Sequence, residues 1–293
     1  MKKPSSFGIW GNTEKDSFWE TLPHILNWSK EKGLTVHLTK HIVGKEKGKH
    51  YNQSLIRSKE DIAVLDFMLV LGGDGTFLSC IRAVEHRDTP VLGIHLGDLG
   101  FLAKVTLKDL FQRLDQMASG SFIVEQRTMA KAVISKNGTK KKHNALNDFV
   151  VSNGESHRML NTQVHVNDQL VANYKSDGLI IATPTGSTAY SLSSGGPIIV
   201  PDVDSFVITP ISPHSLTSRP LVVPADSEIE IDFPGEEEKI TFITDGQIHE
   251  TLGPTCSIII NRAEFETGLI NFKDNDYFQT LRTKMGWGKR GEH

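Results

Sequence analysis

Apolar residues along this chain change their spacing near residue 120. Before that point, Phe7-Gly-Ile-Trp10 reads as a short strand, and residues 14–31 carry a helical face of Phe18, Leu22, Ile25 and Leu26, with Pro23 inside it and Gly33 as its stop. Leu34-Thr-Val-His-Leu38 reads as a second strand, residues 41–58 are polar and lysine-rich, and Asp66-Phe-Met-Leu-Val-Leu71 is a buried strand. Phe77 to Val84 is helical, and Pro90-Val-Leu-Gly-Ile94 supplies the next strand. Thr106-Leu-Lys-Asp109 opens a further helix in the manner of a capping box, with Leu107, Leu110, Phe111, Leu114 and Met117 on one face and Gly120 at its end. Strand alternating with helix predicts a parallel, Rossmann-like sheet whose ligands sit at the carboxyl ends of the strands.

After residue 120 the period becomes two. Val164 and Val166, then Ile229, Ile231 and Phe233, then Ile240 and Phe242, then Cys256, Ile258 and Ile260 recur between turn residues, the pattern of antiparallel strands packed on one face. Thr185 to Ser194 interrupts them as a short helix, and Asp276 to Trp287 reads as helix again. The expected organisation is an α/β domain over residues 1–120, a mostly antiparallel all-β domain over 121–275, and a helical tail over 276–293. The pattern leaves open whether that tail returns to the first domain.

A length of 293 residues suits two domains, each with material for its own core. A hydrophobic content of 38% and a mean hydropathy of −0.25 describe a soluble globular chain. No run of eighteen apolar residues occurs, and Met1-Lys-Lys-Pro-Ser-Ser6 lacks the apolar segment of a signal peptide, so the expectation is a cytoplasmic protein with no membrane partner. The net charge of −3 argues against a nucleic-acid surface, and the basic cluster from Lys136 to Lys142 flanks Asn137-Gly138 as a solvated hairpin tip. Cys80 and Cys256, the two cysteines, have no CxxC partner and read as buried free thiols.

Gly72-Gly73-Asp74-Gly75-Thr76 joins a predicted strand to a predicted helix. Glycines there let the backbone take positive φ and come close to a ligand, and a helix start offers N–H groups to a phosphate. Asp74 is the odd member, because a carboxylate repels phosphates and so suits a metal ion or a hydroxyl proton. The plain alternative is a tight turn using Gly and Asp for their backbone habits. The chain has no Walker GxxxxGK[ST], no GxGxxG, no G-x-S-x-G and no HExxH. Phosphate charge would then be met by a divalent cation or by basic residues elsewhere, with Arg158 and Lys175 as candidates.

Two more stretches bear on function. Asn147-Asp148 precedes the apolar Phe149-Val-Val151, and Asp177 to Pro197 runs DGLIIATPTGSTAYSLSSGGP, a strand followed by a turn dense in Gly, Pro and hydroxyls. Such a density of hydroxyls is of no evident use to a core. With Gly72 to Thr76, these stretches resemble the NAD kinase family, whose signature is a GGDGT loop, an Asn-Glu or Asn-Asp pair and a DG…TPTGSTAY…GGP segment in that order. The third motif is specific, whereas GGDGT alone is shared with phosphofructokinases and with diacylglycerol and sphingosine kinases.

The resemblance implies transfer of the terminal phosphoryl group of ATP to the 2′-hydroxyl of the adenosine ribose of NAD, giving NADP, with magnesium assisting. By the family motif, Asp74 is the proton acceptor and Gly75 lies beside the substrate, while Gly72, Gly73, Gly75 and Thr76 form the phosphate loop. Asn147 and Asp148 match the pair that holds ribose hydroxyls, Asp148 standing where Glu is more frequent. Lys175 and Asp177 match dinucleotide-contacting positions, Thr188, Ala189, Tyr190, Ser191, Leu192 and Ser193 match the binding turn, and Gln247 and Arg158 are carried over with them. No residue is assigned to the metal. The family resemblance also implies a homo-oligomer, a dimer or tetramer. Independently of the family, Asp74, Asn147, Asp148 and Asp177 supply groups that accept ribose hydroxyl protons. A lipid kinase and a nucleotide sensor without turnover are the readings from other classes.

Overall fold

The computed structural model describes residues 3–97, 100–136, 138–154, 158–236 and 238–287. The chain forms two compact units, one of residues 1–126 and 268–293 and the other of residues 127–267. The sequence pattern drew its boundaries at 120 and 275. Both passages between units fall inside long strands, where neither composition nor periodicity changes.

The first unit is built on parallel strands β1 (Ser6–Gly11), β2 (Thr35–Thr39), β3 (Ser54–Ile56), β4 (Phe67–Gly72) and β5 (Val91–His95). Their order across the sheet is β3-β2-β1-β4-β5, and β6 (Val105–Thr106) pairs with β5. Every residue of β4 is buried, as befits a central strand covered on both faces, and Phe7 of β1 stacks on Phe67 at 4.9 Å. The helix Asp16–Glu31 buries Phe18, Leu22 and Ile25 and runs through Pro23. Helix Leu110–Ser119 buries Leu110, Leu114 and Met117, and Gly120 closes it at φ 80°. Leu107 and Phe111 depart from expectation: both are exposed, because Thr106 belongs to β6 and the helix starts only at Leu110. Asp276 caps the last helix, Tyr277–Met285, by accepting the Phe278 N–H at 2.8 Å. Residues 288–293 of the predicted tail lie outside the described residues.

The second unit is antiparallel. β9 (Asp148–Ser152) lies between β12 (Gly178–Ala182) and β16 (Ile240–Thr244), with β13 (Ser205–Ile211), β14 (Leu221–Pro224) and β17 (Ile248–Leu252) completing one sheet in the order β14-β13-β12-β9-β16-β17. Beside it, β10 (Leu160–Val166) pairs with β11 (Gln169–Ser176) and β15 (Ile229–Asp232), and β15 pairs with the early part of β18 (Ser257–Asn271). Strands β7 (Ile123–Lys136) and β8 (Thr139–Ala145) form the hairpin read from the lysines, although Asn137 at its tip lies outside the described residues. The period-two residues meet in one core that includes Val164, Ile229, Ile231, Ile240, Phe242, Cys256, Ile258 and Ile260. Both cysteines are buried and free. The architecture is therefore an N-terminal α/β unit and an antiparallel β unit, with a short C-terminal helix.

Candidate active site

In the first unit the chain leaves β1 toward β2 and β3 on one side, then returns through β4 to the other. Neighbouring strands that depart in opposite directions open a crevice beyond their carboxyl ends, the usual ligand position in such sheets. A cleft of about 400 Å³ lies there, lined by Asn12, Thr13 and Glu14 after β1, by His41, and by Gly75 and Thr76 after β4. Thr13 Oγ1 and His41 Nε2 are hydrogen-bonded at 2.8 Å across its wall.

Gly72 to Thr76 is less of a loop than the sequence suggested. The helix Asp74–Val84 begins at Asp74 itself, with Gly73 as an extended N-cap at φ −97°. None of Gly72, Gly73 and Gly75 has positive φ. Their use is close approach: a Cβ on Gly72 would stand 2.4 Å from Thr76 Oγ1, and one on Gly73 would be 3.4 Å from the His95 Nε2. Asp74 occupies the first helical turn, where a carboxylate suits the helix dipole. Its oxygens accept three consecutive main-chain N–H groups, Oδ2 that of Phe101 at 3.0 Å and Oδ1 those of Leu102 and Ala103, both at 3.2 Å. A carboxylate has about four acceptor positions, so the one left among the described residues is on Oδ2. Gly100 is required for this approach, since a Cβ there would lie 2.1 Å from Asp74 Oδ1.

Sequence reasoning missed two neighbours of this turn. Lys15 Nζ donates to Leu96 O at 3.4 Å, Leu96 N–H donates to Gly72 O at 3.3 Å, and a Cβ on Gly97 would stand 3.5 Å from that ammonium. His95, at the end of β5, keeps a buried Nδ1 with no partner among the described residues. Lys15 has no motif around it, and only the topology brings it to Gly72.

In the second unit, Asn147 and Asp148 stand where β9 begins. The Asp245 carboxylate accepts the N–H groups of Leu146 at 3.2 Å, Asn147 at 2.7 Å and Asp148 at 3.2 Å. Thr183 holds the opposite side: its N–H donates to Asn147 O at 2.8 Å and its hydroxyl to Leu146 O at 2.5 Å. Gly186 packs so tightly here that a Cβ would lie 2.0 Å from Asn147 O. Asn147 Oδ1 is buried with no hydrogen-bond partner among the described residues, an acceptor open to a donor from outside them. Asp148 is 4% exposed, and burial, reinforced by the charge of Asp245, pushes its carboxyl up to about 7 despite the Tyr190 N–H that it accepts. Its short side chain thus reaches the 188–193 turn directly.

That turn is a 3₁₀ segment Thr185–Thr188 followed by the short helix Tyr190–Ser193. Two of its hydroxyls are structural, contrary to the reading that a core has no use for them. Ser187 Oγ donates to Pro184 O at 2.7 Å and accepts the Ile199 N–H at 2.9 Å, and Ser191 Oγ meets Thr209 Oγ1 at 2.9 Å, both serines fully buried. Thr188 Oγ1 donates to Thr185 O at 3.2 Å. Lys175 and Asp177 are exposed on either side of Ser176, where β11 gives way to β12. Arg158 is exposed and paired with Glu238 at 3.4 Å, and Gln247 is exposed in the turn after β16. Within this unit the structure therefore joins Asn147, Asp148 and Tyr190 into one hydrogen-bonded group, and Asp245 and Thr183 join it unforeseen. His165, Glu230 and Asp232, on β10 and β15, also bring possible ligand atoms within 4.8 Å of one another, outside every motif.

Residues 7–122 match the model of the ATP-NAD kinase N-terminal domain, and residues 146–272 that of the ATP-NAD kinase C-terminal domain. The chain is 38% identical over 290 residues to the NAD kinase of Caldanaerobacter subterraneus subsp. tengcongensis, covering 97% of this chain and 99% of that protein. It is 38% identical over 268 residues to the NAD kinase of Citrifermentans bemidjiense, covering 91% and 93%. Among solved structures it resembles a yeast NADH kinase complexed with NADH, with a TM-score of 0.91 at 23% identity over 99% of this chain and 90% of that one. An NAD kinase from Archaeoglobus fulgidus in complex with ATP has a TM-score of 0.74 at 25% identity, over 96% and 98%.

Proposed function

From the premise that this chain belongs to the ATP-NAD kinase family, we propose that it phosphorylates the 2′-hydroxyl of the adenosine ribose of NAD with ATP, and that Asp74 is the general base. The observation that carries the base assignment is the fixation of Asp74. Three main-chain amides orient its carboxylate and leave one acceptor position on Oδ2, which is what a base needs in order to receive a proton at a defined point. The 2′-oxygen attacks the γ-phosphorus of ATP, its proton passes to Asp74, the bond from the γ-phosphorus to the bridging oxygen breaks, and ADP leaves.

The crevice beside Gly75 and Thr76 suits the phosphoryl donor, because the helix start favours anions and the glycines let phosphates approach. Lys15 supplies a cation near the turn in place of a P-loop lysine. Asn147 and Asp148 hold ribose hydroxyls, Asn147 through its unspent Oδ1 and Asp148 as a carboxyl that carries a proton through part of the neutral range. Lys175, Asp177, Arg158 and Gln247 are exposed polar groups suited to the rest of the dinucleotide, and residues 188–193 supply its binding turn.

Magnesium fits the form it takes with nucleotides, in which phosphates and waters are most of its ligands. Glu14 on the crevice wall is a carboxylate there, but its Oε1 is paired with Lys45 at 2.7 Å, so no side chain is assigned to the ion. When bound, the ion neutralises phosphate charge in the transition state. The enzyme is also proposed to be a homo-oligomer of the cytoplasm, working on small molecules and not on nucleic acid or membrane; among the described residues no helix is long and apolar enough to cross a membrane. Purified protein incubated with ATP, magnesium and NAD, with NADP read through an NADP-specific dehydrogenase, tests the activity. NADP formation is expected, and its absence would refute it.

A further inference from the structure

Asp245 stands in the segment by which Gln247 is carried over from the family, but the resemblance assigns it no role. It sits in the turn Thr244-Asp-Gly-Gln247 between β16 and β17, at a left-handed φ of 50°, with Gly246 following at φ 63°. Two adjacent left-handed residues are the signature of a tight hairpin turn, for which Asn-Gly serves as well as Asp-Gly. Turn geometry therefore accounts for a short polar residue at this position. It does not account for a carboxylate.

What the carboxylate does is accept three consecutive N–H groups, Leu146 on Oδ2 and both Asn147 and Asp148 on Oδ1. The Asp245 N–H in turn donates to Asp148 O at 2.9 Å, so each residue anchors the other's backbone. Thr183 holds the carbonyls of Leu146 and Asn147 from the other side. The main chain of the pair is thus fixed on both edges, and Asn147 Oδ1 has no partner among the described residues. Asp245 is 5% exposed, so its charge is sustained by these amides more than by water.

We infer that Asp245 is the positioning residue of the ribose site, setting the Asn147–Asp148 pair for NAD through its carboxylate clamp on residues 146–148. The inference rests on the reading that this pair holds ribose hydroxyls. Asp245 makes no contact with substrate in this scheme and acts through its two neighbours. Its charge has a second effect. The groups that act on the buried Asp148 carboxyl are Asp245, which raises it, and the Tyr190 N–H, which lowers it, so removing the Asp245 charge moves Asp148 back toward the ordinary carboxylate range.

The decisive variant is Asp245→Asn in the full-length protein. Asn keeps the left-handed turn but has one acceptor oxygen, so it cannot hold all three amides. The expected result is an NAD KM raised about tenfold or more, an ATP KM unchanged within about twofold, and a kcat lowered less than about fivefold. The pH midpoint of the NAD KM should also move to lower pH. Thr183→Val, which removes the hydroxyl bond to Leu146 O and keeps both the shape and the main-chain bond to Asn147 O, should give the same split between NAD and ATP in weaker form and serves if the first variant folds poorly. An unchanged NAD KM in both variants would overturn the inference. So would equal rises in the NAD and ATP KM values with a lowered Tm and an unmoved pH midpoint, the mark of a merely structural turn. Wild-type protein that turns over no NAD would instead remove the functional reading beneath it.

Discussion

The carboxylate of Asp74 is bound to the main chain of Phe101, 27 residues further along, by a hydrogen bond of 3.0 Å, and it can be so only because Gly100 has no side chain. The segment after β5 therefore anchors the proposed base, although no motif marks it. Gly100→Ala would drive a methyl into Asp74 Oδ1. We expect kcat to fall by roughly 10–100-fold, because small displacements of a reacting group are costly, with a stability loss of about 1–3 kcal/mol from overpacking. Steady-state kinetics together with thermal unfolding checks this, and full activity would show that the anchoring of Asp74 is dispensable.

Asp148 gives a stability prediction. Its carboxyl is raised from an ordinary 3.8 to about 7 in the folded protein, so the folded state holds a proton that the unfolded chain has already released between those values. Stability from this group is complete below pH 3.8 and is lost as pH rises through about 7. Asp148→Asn, which cannot ionise, should exceed wild type in stability by on the order of 1–3 kcal/mol at pH 8. The gain should shrink toward pH 4. Thermal denaturation of both proteins at pH 4, 6 and 8 measures it, and a constant difference across that range would contradict the assignment.

Asp177 is exposed at the start of the motif that is richest in family signature, and its proposed task is a hydrogen bond to the dinucleotide. Hydrogen bonds to charged groups contribute about 1.5–3 kcal/mol, so Asp177→Ala should weaken NAD binding by about ten- to a hundredfold and leave ATP binding nearly unchanged. Isothermal titration with each nucleotide separates the two. An unaltered NAD affinity would remove Asp177 from the site.

Lys15 is predicted to act on the donor instead. Its ammonium lies against the Leu96 carbonyl beside the glycine turn, where it has no carboxylate partner among the described residues. Lys15→Ala should raise the ATP KM by about ten- to a hundredfold, the worth of one charge-assisted hydrogen bond, and Lys15→Arg should recover most of the loss. Were the NAD KM to rise in its place, the crevice after β1 would not be the donor's.

Much of the fold was legible because one rule governs each half. The α/β unit shows its buried β4 as a run of apolar residues, and the β unit shows its core as alternation from Val164 to Ile260. Leu107 and Phe111 were misplaced because helical periodicity does not show where a two-residue strand takes Thr106 away from the helix. The glycine turn was found for a partly wrong reason. Its residues needed close packing against Thr76 and His95, and no sequence feature separates that need from positive φ. Asp245, Thr183, Lys15 and the amides of residues 101–103 were missed for a common cause. Each contributes through backbone contacts far along the chain, and such contacts leave no periodic trace.

The central claim is that Asp74 receives the 2′-hydroxyl proton, and Asp74→Asn tests it most directly when kcat and the NAD dissociation constant are measured on the same preparation. Asn keeps the size and one acceptor oxygen, enough for the Leu102 and Ala103 N–H groups but not for that of Phe101, so NAD affinity should change by no more than the worth of that one hydrogen bond, about 1 kcal/mol. A positioned general base supplies about 10²–10⁴ in rate, and kcat should fall by that factor. A variant that keeps more than about a tenth of wild-type kcat would contradict the base assignment, as would loss of turnover accompanied by an equal loss of NAD binding.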